Sequence, residues 1–164
     1  EYSMSTLEVK AIQAPTGYDL QMPAGHIIQT VSADVGTYTT STAQSWVDTN
    51  SSLAITPKFA SSKIICQFTF GISMWGGARL YGGVQLVRNS TVISGGSTET
   101  INFRDLYDDH EMLIPVAMNF VDSPNTTSST TYKIQIYAKS GLSIQHIGQG
   151  NTRPSHMILQ EVAQ

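Results

Sequence analysis

The densest group of ionisable side chains lies in the segment RDLYDDHE, where Asp105, Asp108, Asp109, His110 and Glu111 crowd together. Oxygen-rich loops of this kind suit a hard cation such as Ca²⁺. The spacing matches no EF-hand or other defined metal loop, so a solvated acidic loop is the default expectation and no cofactor is expected. Paired carboxylates also raise glycoside hydrolysis, which needs two carboxyls about 5 to 10 Å apart with one pKa raised. The chain has only twelve Asp and Glu, and Glu99, Asp105 and Glu111 are the only plausible distant partners, so catalysis is not expected. Cys66 lies in an apolar run and reads as a small buried hydrophobe, not a thiolate nucleophile. His26, His110, His146 and His156 show no spacing typical of metal ligands.

A different chemistry is suggested by aromatic residues that stand beside charged ones. Trp75, Arg79, Tyr81, Phe103, Arg104, Asp105, Tyr107 and Asp108 fall in the segments 75–83 and 95–111, and His146 in the segment 141–156. Aromatic faces stack on sugar rings while carboxylates, guanidinium groups and amides hold the hydroxyls, and the same amphipathic logic marks protein hot spots. These nine residues are therefore the candidate ligand-binding set. The competing expectation is that Trp75 and Phe103 merely plug the end of the fold.

The elements that must position them read as strands. In IICQFTFGISM, Ile64, Cys66, Phe68, Phe70, Ile72 and Met74 share one face. IPVAMNF repeats the scheme with Ile114, Val116, Met118 and Phe120, and YKIQIYA with Tyr132, Ile134, Ile136 and Ala138. GVQLV, RNST and VIS read as a tight hairpin turning at Asn89 and Ser90. SPNTTSSTT, between two such strands, reads as the polar turn of another hairpin, and HMILQEVA as the last strand. Pro57, Pro124 and Pro154 fall at edges or connections. The expectation is an all-β fold, an antiparallel, jelly-roll-like β-sandwich of about eight or nine strands. Residues 1–25, interrupted by Pro15, Gly17, Pro23 and Gly25 yet carrying Leu7, Val9 and Ile12, form an extended N-terminal arm or edge strand able to reach a neighbouring subunit. Residues 26–164 form the sandwich.

Composition limits the partners. At 164 residues the chain is the size of one domain, and only 13% of it is charged. A net charge of −3 without a basic cluster argues against nucleic acid. A single cysteine excludes an internal disulfide framework, and no apolar run approaches the ~20 residues of a membrane span.

Several phrases carry a resemblance: LAITPKFASSKIICQF, GGVQLVRNSTVIS, NFVDSPNTTSSTTYKIQIYA and MILQEVA, with MSTLEVKAIQ and YDLQMPAGHIIQTV near the start. Taken in order over nearly the whole chain, they resemble β-sandwich tail-fibre or host-specificity proteins of marine tailed bacteriophages, including those of cyanobacteria and Pelagibacter-like hosts. The resemblance implies a virion structural protein with no catalytic residues. It further implies a homotrimer exposed on the particle, in contact with other virion proteins and with a glycan or protein receptor on a bacterial surface. The alternative is a capsid-decoration or self-assembling filament protein with a purely structural role. The segments 75–83, 95–111 and 141–156 are this chain's own, so a relative's ligand does not transfer to it.

Overall fold

A computed structural model describes residues 16, 23–34, 37–76, 81–94, 101–104 (backbone only), 111–139, 141–147 and 155–164. Among them are eleven strands and no helix: β1 (Ile27–Asp34), β2 (Thr39–Ser41), β3 (Val47–Ile55), β4 (Lys63–Gly76), β5 (Tyr81–Arg88), β6 (Thr91–Val92), β7 (Ile101–Arg104), β8 (Glu111–Asp122), β9 (Thr130–Ala138), β10 (Leu142–Ile147) and β11 (His156–Val162). All pairings are antiparallel.

The period-2 patterns become two facing sheets. In the six-stranded sheet, β4 pairs along one edge with β8, and its other edge is shared by β11 and β10. Beyond these lie β1, on β11, and β2, on β10. The five-stranded sheet runs β3–β9–β5, with β6 and β7 both on the far side of β5. Taking the principal strands alone, one sheet has the order β8–β4–β11–β1 and the other β7–β5–β9–β3. Chain neighbours mostly alternate between sheets, which is the double Greek-key arrangement of a jelly roll. The expected architecture is therefore present; the strand count exceeds the expected eight or nine because β2, β6 and β7 are too short to leave a periodic signature.

The core lies between the sheets. Ile64, Cys66, Phe68, Phe70, Ile72 and Met74 of β4 face Ile134, Ile136 and Tyr132 of β9 and Val84 and Leu86 of β5 in one buried cluster. A fully buried side chain of this size contributes ~1.5–3 kcal/mol. Cys66 is buried, and loss of solvation pushes its thiol pKa up, so it packs in the core as the sequence suggests.

One expectation is overturned. SPNTTSSTT is not a hairpin turn: β8 belongs to the six-stranded sheet and β9 to the five-stranded one, so the segment arches across the sandwich. Its hydroxyls satisfy the arch's own backbone. Thr126 Oγ1 accepts from the Ser128 amide, Thr130 Oγ1 donates to the Ser128 carbonyl, and Asn125 takes a positive φ of 53°. Asp122 clamps the start of the arch to the opposite sheet, accepting from Arg88 at 2.8 Å and from the Tyr132 hydroxyl at 2.7 Å. Burial and this bond push the Tyr132 pKa up.

The Asn89–Ser90 turn is present as expected, with Asn89 at a φ of 53° and Arg88 opposite Thr91. Asn89 also extends the β5–β9 ladder, exchanging bonds with Thr131 through its backbone N–H and its side-chain oxygen. Residues 1–15 and 17–22, most of the proposed arm, lie outside the described residues, as does Pro154.

Candidate binding face and the buried histidine

The outer face of the five-stranded sheet gathers a set of side chains that strand alternation dictates. On β9, Ile134, Ile136 and Ala138 are buried, so Lys133, Gln135, Tyr137 and Lys139 point outward. Gln135 stands in register with Asp48 of β3 and Gln85 of β5, and Tyr137 with Gly83. Trp46, just before β3, lies beside Tyr137 with ring centroids 5.6 Å apart and planes tilted by 43°. Both rings are half-buried.

A polar row runs beside this pair. Gln85 Nε2 donates to Gln135 Oε1 at 2.6 Å, and Gln135 Nε2 donates to Asp48 Oδ1 at 2.6 Å. Lys133 Nζ donates to Asp48 Oδ2. The lysine and the glutamine amide hold the Asp48 carboxyl below the usual carboxylate range. On the other side of Tyr137, Lys139 Nζ lies 5.8 Å from the centre of the Tyr81 ring.

The register of β3 against β9 breaks between Asp48 and Ser52, where a bulge begins immediately beyond the polar row. The bulge turns polar groups inward. Thr49 Oγ1 donates to the Ile134 carbonyl and accepts from the Ser51 amide. The Ser51 hydroxyl meets His146 Nε2 at 2.7 Å, from the opposite sheet. His146 is fully buried on the inward face of β10, its ring 5.0 Å from that of Phe70, and its Nδ1 has no hydrogen-bond partner. Burial lowers its pKa to about 4, so the ring is neutral at ordinary pH. A serine beside a histidine is the geometry of an activated nucleophile. Here both residues are sealed between the sheets, and no carboxylate orients Nδ1, so the pair is structural.

Of the residues singled out from the sequence, those described divide between the two sheets. Trp75 is half-buried within β4, in register with Glu111 of β8 and Ser143 of β10, so it sits in the six-stranded sheet and not in a loop. Tyr81 opens β5 in the other sheet. The backbones of Phe103 and Arg104 lie on β7, opposite Gly82 and Tyr81. Arg79, Asp105, Tyr107 and Asp108 lie outside the described residues. His146, placed in a distinctive loop by the sequence reading, is instead a buried strand residue with no surface to offer. Glu111, the described end of the acidic loop, accepts from Ser73 Oγ at 2.6 Å, and no cluster of metal-ligating side chains occurs among the described residues.

Trp46, Asp48 and Gln85 were missed because they carry no motif. Their meaning comes from the register that places them beside Tyr137 and Gln135. No protein-family model matches the chain, and neither does any curated protein.

Among solved structures, the chain is similar to those titled "Structure of infectious bursal disease virus Gt strain" and "Crystal structure of infectious bursal disease virus VP2 subviral particle". Identities are 14% and 15%, the TM-score is 0.38 for both, and 95% of this chain is covered in each case. A third, titled for the T13 particle of the same virus, has 16% identity and a TM-score of 0.38 over 94% of the chain. The chain spans 40–43% of the length of these three chains.

Proposed function

We propose that the protein is a non-enzymatic virion subunit of the tail-fibre or receptor-binding kind, which assembles as a homo-oligomer and attaches to a bacterial surface. The observation that carries the assembly part is the outer face of the six-stranded sheet. Its central rows are Val121, Ile65, Gln160 and Thr30, then Asn119, Gln67, Ile158 and Ser32. Among the described residues, formal charge on this face is limited to Lys63, Glu111 and the Asp34–His156 pair. Leu113 and Val121 of β8 are 39% and 57% exposed on this face, and Pro115 and Ala117 between them are exposed as well. A face with few formal charges loses less solvation free energy when another subunit covers it.

Light scattering of the intact chain tests this directly. The trimeric fibre reading expects a mass near three times 17.8 kDa, and Leu113→Glu with Val121→Lys should reduce it to the monomer. A monomeric parent chain would overturn the proposal. The same face serves a purely structural role in a capsid or filament, and two further experiments separate the readings. For a receptor-binding subunit, Trp75→Ala or Tyr107→Ala abolishes attachment to host cells and leaves assembly intact. For the structural role, removing residues 1–25 abolishes assembly and these two substitutions change nothing.

A further inference from the structure

We infer that the outer face of the five-stranded sheet, centred on Trp46 and Tyr137, is a binding platform for the rings of a neutral hexose polysaccharide. This rests on the receptor-binding reading above and adds a sheet face to its contact surface. Two half-buried aromatic rings, one from β9 and one from the residue just before β3, lie side by side with centroids 5.6 Å apart at the β3 edge of the sheet. The residue paired with Tyr137 on its other flank is Gly83, which adds no side chain and is itself buried, so the accessible part of the pair lies toward β3. Aromatic rings held by packing that keep part of their area exposed offer stacking surface at little entropic cost, since each ring has only two torsions to lose.

The polar row supplies what stacking lacks. Sugar hydroxyls need donors and acceptors fixed in position before the ring arrives, because ordering flexible side chains during binding consumes affinity. Gln135, Asp48 and Lys133 already hold one another through two hydrogen bonds, and Gln85, itself buried at 6% exposure, braces Gln135 through a third. The Asp48 side chain remains 53% exposed. A carboxylate has about four acceptor sites, so two bonds leave capacity for a pair of neighbouring hydroxyls. The aromatic and polar rows lie two residues apart along β9, and the strands about 4.8 Å apart across it, a grid on the scale of single hexose units. The row's two charges, on Asp48 and Lys133, neutralise each other, which suits an uncharged polymer.

Cross-strand aromatic pairs also stabilise sheets without binding anything. The test therefore separates stability from recognition. The intact chain is run in native gels cast with dextran, yeast mannan or a soluble galactan, and its melting temperature and native mass are measured alongside. The expected result is retardation by at least one polymer, with apparent affinity falling about tenfold or more in Trp46→Ala and in Tyr137→Ala. Trp46→Phe should stay within about threefold of the parent, and Asp48→Asn should weaken retardation without abolishing it.

No retardation in any of the three gels overturns the inference. So does retardation that survives Trp46→Ala, or that is lost only in proportion to a lowered melting temperature. A drop in native mass in Trp46→Ala would assign the face to subunit packing and equally overturn it. An oligomer that ignores all three polymers would sink this inference and leave the assembly reading standing. A monomer retarded through Trp46 would do the reverse.

Discussion

At the scale of single residues, buried polar groups decide how the protein responds to its surroundings. His146 titrates at about 4 in the folded chain, against about 6.5 when exposed. Between those values the unfolded state binds the extra proton, so stability from this residue is complete above about pH 6.5 and drains away as pH falls toward 4. The full loss is about 3 kcal/mol. Urea midpoints measured at pH 7, 5.5 and 4.5 should show that decline, and His146→Gln should flatten it relative to the parent.

Asp122 carries a second such load. Asp122→Asn removes the charge opposite Arg88 and weakens the bond to Tyr132, with an expected cost of about 1–3 kcal/mol in equilibrium unfolding. Little of this was legible in the sequence. The inward faces of β4 and β9 were plain from alternation, and Cys66 with them. The fate of His146 depended on a bulge in a strand 95 positions away, and no local pattern signals that.

At the scale of elements, strands were readable and their partners were not. Alternation in β8 and β9 reports that each has an inward face, but the same alternation arises whether the two pair or lie in opposite sheets. The polar arch between them therefore looked like a hairpin turn. Pro115 shows the complementary case. It sits inside β8, where a central strand would lose a ladder bond. The β4–β8 register runs unbroken through Pro115 opposite Gly71, and β8 is a sheet edge, so the missing N–H faces away from β4. The free edge is thereby interrupted at its middle, a recognised defence against unwanted strand addition. Pro115→Thr should restore a continuous edge and yield species larger than the parent in light scattering, without lowering the melting temperature.

Another element is pinned by one carboxylate. Glu161 of β11 is fully buried, and its oxygens accept from the Lys58 and Phe59 amides and from Gln29 Nε2. Glu161→Ala strands two amides and should cost about 2–4 kcal/mol, read as a shift in urea midpoint.

At the scale of the whole molecule, the jelly roll joins the two ends of the described chain. β1 pairs with β11, and β11 lies between β1 and β4, so the six-stranded sheet cannot close until its last strand arrives. Contacts so distant in sequence carry a loop-closure cost before they contribute, which makes such folds slow. A chain truncated before His156 should show no cooperative unfolding by circular dichroism, and the intact chain should refold over milliseconds to seconds or longer. Composition and periodicity were enough to foresee a two-layer β fold. The proposed binding face was harder to foresee, because β9, the last of its three strands in the chain, lies between the other two in the sheet.

The shared edge of β4 also bears on engineering. β10 covers its positions 71–76 and β11 its positions 63–69, both running the same way, so the two strands lie end to end along one line. The chain leaves that line after Ile147 and rejoins it at His156, and the exit is fastened where Ser155 Oγ donates to the Ile147 carbonyl at 2.6 Å. With both anchor points held by their own ladders, the length of what is spliced between them is decoupled from the sheet's register. An epitope or enzyme spliced between Ile147 and Ser155 would be anchored at both ends by strands of one sheet, making that position a port for cargo display.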